Sequence, residues 1–187
     1  MLRFERKLTN LRSLGRPALL LRLKPQVARM PLPMQRYDDP FLPYSKAVIA
    51  ATRDCLQGYV FDFAAYFALG GAGVVALERS IAYVAAGGDV VTILDGPFYG
   101  PAFAEAMSEN ALNVDAVTLI NGQDAVAYQA RGVEGIVAWG ERADAACTLR
   151  DDQITAYGHP LRIVGDKIFD GASGDDFAER IREAILR

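Results

Sequence analysis

Thr92-Ile93-Leu94-Asp95-Gly96-Pro97-Phe98-Tyr99-Gly100 decides how this chain is read. Val90 and Val91 precede it, so Val90, Val91, Ile93 and Leu94 form a short apolar run, as a parallel strand buried on both faces requires. Gly96-Pro97 stops that run abruptly. The carboxyl end of such a strand is where α/β proteins place their chemistry. Yet between Asp95 and Gly100 there is no lysine, histidine, cysteine or second carboxylate.

Working outward, apolar strand-like runs alternate with helical ones. Strands are expected at Ala18–Leu23, Tyr59–Phe63, Val90–Leu94, Val114–Leu119, Gly135–Trp139 and Leu161–Val164, with a weaker one at Gln153–Tyr157. Helices are expected over Ser45–Leu56, Gly73–Ala85, Phe103–Ala111, Ala125–Ala130 and Asp175–Leu186. Ser45 serves as an N-cap in this reading, and the carboxylates opening the last helix complement its dipole. The alternation implies βαβ units and a parallel sheet, open or closed into a barrel. Residues 25–44 hold five prolines and read as an irregular surface excursion.

The chain has 187 residues, 51% of them hydrophobic, enough for one substantial core and one domain spanning 1–187. Its net charge of −3 gives no sign of a nucleic-acid-binding domain. The first thirty residues are locally basic, including Arg3, Lys7, Arg12, Arg16, Arg22 and Lys24, which fits a solvated face or contact with an anion. The apolar run 18–21 is too short for a signal-peptide core or a membrane span, so a cytoplasmic protein is the expectation. Cys55 and Cys147 lie far apart in helical-looking contexts and read as small core residues.

The order of landmarks from Tyr37-Asp38-Asp39-Pro40-Phe41 through Ala65-Tyr66-Phe67-Ala68-Leu69-Gly70 and Gly73-Val74-Val75-Ala76-Leu77-Glu78-Arg79 to Asp95 resembles one family. It is that of the orotidine 5′-phosphate decarboxylases of the bacterial type, which carry a long insertion after the first strand. Val164-Gly165-Asp166-Lys167-Ile168, leading to Ser173-Gly174-Asp175-Asp176-Phe177, is similar to that family's last strand and final helix. The resemblance covers most of 18–120 and again 162–187. It implies a TIM-type (β/α) barrel with ligands at the carboxyl ends of the strands.

Carried over residue by residue, the resemblance breaks at the chemistry. The family's first strand ends in Gly-Leu-Asp-Pro; here Arg22-Leu23-Lys24-Pro25 stands, with Lys24 in place of the ribose-holding aspartate. Val60 replaces the second strand's lysine. In the third-strand signature Asp-Ala-Lys-x-x-Asp, Asp95 is kept, but Pro97 replaces the lysine and Gly100 the second aspartate. The family's phosphate-gripping arginine falls near Asp166, beside Lys167. Decarboxylation without a cofactor builds a carbanion that needs a fixed cation and proton donor, and proline supplies neither.

The catalytic candidates are therefore Asp95 and a relocated Lys24. The ligand-binding candidates are Lys167, Gly165, Ser173, Gly174 and Asp62, the small residues of 171–174 exposing backbone N–H groups at a helix start. Asp170, Asp175 and Asp176 would repel a phosphate there. Gly70-Gly71-Ala72-Gly73 reads better as a helix-to-helix joint than as a phosphate loop. His159, the only histidine, reads as a surface turn residue. One histidine and two distant cysteines argue against zinc, while Asp95, Asp115 and Asp166 could in principle gather magnesium. Phe61, Phe63, Phe67 and Trp139 read as core.

Six strands are clear and a seventh weak, whereas an eight-unit barrel takes at least about 200 residues, so either the barrel has lost one or two units or the missing strands are short and unpatterned. In the first case its open edge would be covered in a homodimer. Three functions remain. One is a protein that still binds a phosphorylated sugar or pyrimidine nucleotide. Another is a non-catalytic assembly protein whose pocket is filled by Pro97, Phe98 and Tyr99. The last is a lyase using Lys24. No cofactor, nucleic acid or membrane is implied.

Overall fold

The computed structural model describes residues 2–88, 90–96, 98, 100–108, 110–120, 124–140, 145–170 and 174–187. Eight strands close into one barrel in chain order: β1 (Leu19–Leu23), β2 (Gly58–Asp62), β3 (Val91–Asp95), β4 (Ala116–Leu119), β5 (Gly135–Trp139), β6 (Cys147–Arg150), β7 (Gln153–Ala156) and β8 (His159–Val164). From β1 to β6 every neighbouring pair is parallel. β7 runs antiparallel to both neighbours, and β8 closes the barrel by pairing parallel to β1.

The barrel is thus complete: of the two alternatives, the missing strands are short and unpatterned rather than lost. The strand that the sequence hid is β6, and the weak one, β7, is real but reversed. Economy comes from the connections. Asp151-Asp152 alone joins β6 to β7, and Tyr157-Gly158 alone joins β7 to β8. Positive φ at both Tyr157 (51°) and Gly158 (79°) is the signature of the two-residue turn whose twist matches paired strands. A returning strand does there what a helix does elsewhere. Because the sheet has no free edge, the edge argument for a homodimer lapses.

Helices cover the β1–β5 arc. α2 (Phe41–Thr52) lies on β2, where the Tyr59 hydroxyl donates to the Ile49 carbonyl at 3.1 Å and meets Thr52 Oγ1 at 3.0 Å. α3 (Phe63–Phe67) runs into α4 (Gly70–Ala86), which buries Leu77, Ile81 and Val84. A Cβ at Gly73 would fall 1.8 Å from the Tyr66 carbonyl oxygen, so only glycine lets this joint close. The Gly70–Gly73 stretch is therefore the helix joint that was expected. α5 (Ala104–Met107) and α6 (Ala125–Gln129) are short, α7 (Asp166–Phe169) follows β8, and α8 (Phe177–Leu186) packs on α2 through stacked Tyr44 and Phe177 rings 5.1 Å apart.

The first helix, α1 (Arg3–Ser13), begins some forty residues before the first one expected from the sequence. Phe4, Leu8 and Leu11 are its buried stripe, and each such side chain contributes about 1.5–3 kcal/mol by burial. They plug the amino end of the barrel, and the basic residues between them have a job there. Arg3 Nε (3.0 Å) and Lys7 Nζ (2.8 Å) hold the Asp115 carboxylate, which is 2% exposed. Asp115 also accepts from Thr92 N at 2.9 Å and Thr92 Oγ1 at 3.1 Å. The basic amino terminus is spent largely on internal pairing.

Two further expectations change. Ser45 lies inside α2, fully buried, and shares a 2.8 Å hydrogen bond with the Tyr66 hydroxyl; the helix starts four residues earlier, with Pro43 in its first turn, where no N–H partner is lost. Cys147 sits on β6 rather than on a helix, and Cys55 in the 3-10 turn Arg53–Cys55. Both are free and buried, and burial pushes the Cys147 thiol up to about 11.

Candidate ligand site at the carboxyl mouth

Parallel register carries the polar residues of successive strands to one level. Asp62 at the end of β2 pairs with Asp95 at the end of β3. One residue beyond the printed pairings, Lys24 falls level with Asp62 on the β1 side and Thr118 of β4 level with Asp95. The barrel thus opens, at its carboxyl mouth, onto a row of β1–β4 side chains that sequence distance separates by almost a hundred residues.

Asp95 is the centre of the row. Thr118 Oγ1 donates to its Oδ1 at 2.9 Å, and Arg22 of β1 places a guanidinium nitrogen 3.5 Å from its Oδ2. The same threonine oxygen accepts from Gly96 N at 3.0 Å, which fixes the turn leaving β3. Burial pushes the Asp95 carboxyl above its usual range; Thr118 and Arg22 pull against that, and the charge of Asp62 adds to it. Arg22 is shared with Asp152 of the β6–β7 turn at 3.2 Å, while its Nε is buried without an acceptor. Asp62 is half-buried and caps α3, accepting from Ala65 N at 2.9 Å.

Above the row lies a cavity of about 500 Å³ lined by Asp62, Ala64, Asp95, Gly96, Ile120 and Trp139. That is within the range of small-molecule sites, roughly 300–1,000 Å³. Ile120 and Trp139 are 51% and 43% exposed, so the mouth has an apolar shelf facing two carboxylates. Against the expectation that Trp139 and Phe67 belong to the core, both are exposed. An aromatic residue ending an apolar strand looks the same in sequence whether it turns inward or stands at the rim. Phe61 is buried as expected, and Phe63 is half-buried. Phe98 is buried with its ring between those of Phe63 (5.3 Å) and Phe103 (5.4 Å) and is not among the described residues that line the cavity. Pro97 and Tyr99 lie outside the described residues.

The remaining candidates are dispersed. Lys24 is half-buried and lines a neighbouring crevice with Gln26, Val27, Phe41 and Ala68. Gly165 caps α7 at the end of β8, and a Cβ there would touch Arg22 Cβ at 3.4 Å. Lys167 is exposed in a groove between α7 and α8 with Arg180, Glu183 and Arg187. Gly174 is exposed against Asp176, and Ser173 lies outside the described residues. His159 is the exposed first residue of β8. Asp115 precedes β4 at the opposite end of the barrel from Asp95, so the two cannot share a magnesium ion. Among the described residues no group of three or more histidine, cysteine or acidic side chains is placed to hold a metal.

A closed barrel with helices outside and its polar cluster at the carboxyl mouth belongs to the TIM-type class, whose ligands bind at that end. The chain is 31% identical over 139 residues to the orotidine 5′-phosphate decarboxylase of Herpetosiphon aurantiacus, covering 72% of this chain and 48% of that protein. It is 31% identical over 116 residues to the enzyme of the same name from Flavobacterium johnsoniae, covering 58% of this chain and 42% of that one. The solved structure of Leishmania donovani OMP decarboxylase superposes with a TM-score of 0.59 at 18% identity, over 76% of this chain and 55% of that chain. No protein-family profile matches. The chain belongs to the orotidine 5′-phosphate decarboxylase family and spans about half the length of the curated relatives it matches. Among the described residues, no helix is long and apolar enough to cross a membrane.

Proposed function

We propose that this protein binds the sugar of a phosphorylated sugar or pyrimidine nucleotide at its carboxyl mouth and does not decarboxylate it. The observation that carries this reading is the Asp95 cluster: a desolvated carboxylate held by Thr118 and Arg22, level with Asp62, beneath an open cavity. Two carboxylates accept paired sugar hydroxyls through charge-assisted hydrogen bonds. The shelf of Trp139 and Ile120 suits the apolar face of a sugar or base. The names of the curated relatives supply the ligand class.

The chemistry argues against carboxyl loss. The cation beside Asp95 is Arg22, and a guanidinium stays protonated, so it can steady a charge but not deliver a proton to a carbanion. No lysine is among the described residues that line the cavity. Lys24 shares the row, but its side chain borders the adjacent crevice.

Thermal unfolding with UMP, 6-azaUMP and ribose 5-phosphate tests binding, with carbon dioxide release from orotidine 5′-phosphate run alongside. The expected result is a Tm rise of a few degrees with at least one ligand and no carbon dioxide. Absence of any shift at millimolar ligand favours an assembly role instead. Carbon dioxide release abolished by Lys24→Ala favours the relocated-lysine lyase.

A further inference from the structure

Resting on that reading of the mouth, we propose that the ligand's phosphate is held by Lys24, in the crevice on the β1–α3 side of the barrel, and not on the β7–β8 side. TIM-type barrels frequently bind phosphate in the loops after the seventh and eighth strands. Here that side has been rebuilt. β7 runs backwards, so the turn that follows it lies at the amino end; what reaches the mouth on this side is the Asp151-Asp152 turn and the exit of β8 at Gly165, beyond which Lys167 lines the α7–α8 groove. In that turn each carboxylate faces an arginine, Asp152 with Arg22 and Asp151 with Arg150, so the turn offers a dianion no uncompensated positive charge.

The cations sort the same way. Arg22 is shared between Asp95 and Asp152, so its charge is already offset. Lys167 lies in the α7–α8 groove, where Arg180, Arg187, Asp170 and Glu183 also gather. Lys24 is different: it is half-buried and has no hydrogen-bond or ion-pair partner among the described residues. It borders a crevice of about 280 Å³ whose other walls are mainly apolar, from Pro25, Val27, Phe41, Ala65 and Leu69, with Gln26 as a second polar group. An ammonium with apolar neighbours and no counter-ion gains most from a dianion, because little water screens the pair.

The geometry links the crevice to the sugar site. Asp62 and Ala64 line the mouth cavity, and Ala65 and Ala68 line the crevice, so the first turn of α3 is the wall between them. Lys24 is one strand away from Asp62 at the same level. A sugar whose hydroxyls sit on Asp62 and Asp95 can therefore extend its phosphate across β2 to Lys24. Relative to barrels that use the last two strands, the ligand lies turned around the barrel axis.

Calorimetric titration of ribose and ribose 5-phosphate into the wild-type chain and Lys24→Gln tests this. For the wild type, ribose 5-phosphate should bind at least about tenfold tighter than ribose, the scale of one charge-assisted contact. Lys24→Gln should erase that advantage while leaving ribose affinity and Tm unchanged. A phosphate advantage that survives Lys24→Gln overturns the assignment of Lys24 and leaves the sugar site standing. Equal binding of both ligands by the wild type overturns it too. If neither sugar binds the wild type, the sugar site and Lys24 fall together.

Discussion

The two arcs of this barrel solve one problem differently. From β2 to β4 nearly every strand residue is buried, because the core lies on one side and helices on the other. From β6 to β8 burial alternates: Cys147, Leu149, Ile154, Ala156, Leu161 and Ile163 are buried, while Arg150, Gln153 and Arg162 are exposed and Thr148 and Thr155 only half-covered. The second pattern belongs to antiparallel sheet with one wet face. From one strand start to the next, the βα units from β1 to β5 take 19 to 39 residues, whereas β6 to β7 and β7 to β8 take six each. The chain closes a full barrel by using hairpins where no helix is required to shape the ligand site.

The comparison can be broken at several points. The largest effect is expected at Tyr59, which is fully buried on the outer face of β2: Tyr59→Ala should lose about 3–5 kcal/mol in chemical denaturation. A cost below 1 kcal/mol would mean that the helical layer is not packed as described. Next comes the hairpin turn. A Cβ at Gly158 meets no atom within 4 Å, so Gly158→Ala should cost only the left-handed backbone penalty, about 1–2 kcal/mol. A neutral result would put another turn there.

A smaller, pH-dependent effect is expected at Asp95. Its folded carboxyl is held above the ordinary range by burial, so the native state binds the proton more tightly than the unfolded chain. Stability from this group is present at low pH and lost as pH rises through the raised value. Asp95→Asn, whose amide oxygen can still accept from Thr118, should therefore have a higher Tm than wild type at pH 7. The advantage should vanish below about pH 4. The smallest effect belongs to the bare face, where Thr155→Ala should stay within about 0.5 kcal/mol. A large loss there would reveal a covering partner.

Legibility followed the same division. The strands of the covered arc were readable because double burial leaves apolar runs; Gly135–Trp139 matched to the residue, and Val91–Asp95 within one. β6 was not, because two inward residues in four, Cys147 and Leu149, give a period too short to tell from a helical turn. α1 is masked by its own charge: Phe4, Leu8 and Leu11 have helical spacing, but Arg3 and Lys7 between them read as a solvated basic face, because their partner, Asp115, lies a hundred residues on. At the mouth, Asp95 and Asp62 were legible as strand-end carboxylates. Arg22, Thr118 and Trp139 were not, since only closure of the barrel brings them to one cavity or ion pair.

The hairpins also bear on how the chain reaches this state. β6, β7 and β8 are joined by two-residue turns and need only local pairing, the kind of event that takes about 1–10 μs. The β1–β8 seam, by contrast, must bring Leu19 to Arg162 across nearly the whole chain. Contacts of that separation set slow rates because the loop entropy is lost before the pairing is gained. Contact order therefore predicts that the three-stranded end forms early and that closure of the β1–β8 seam limits the rate of folding.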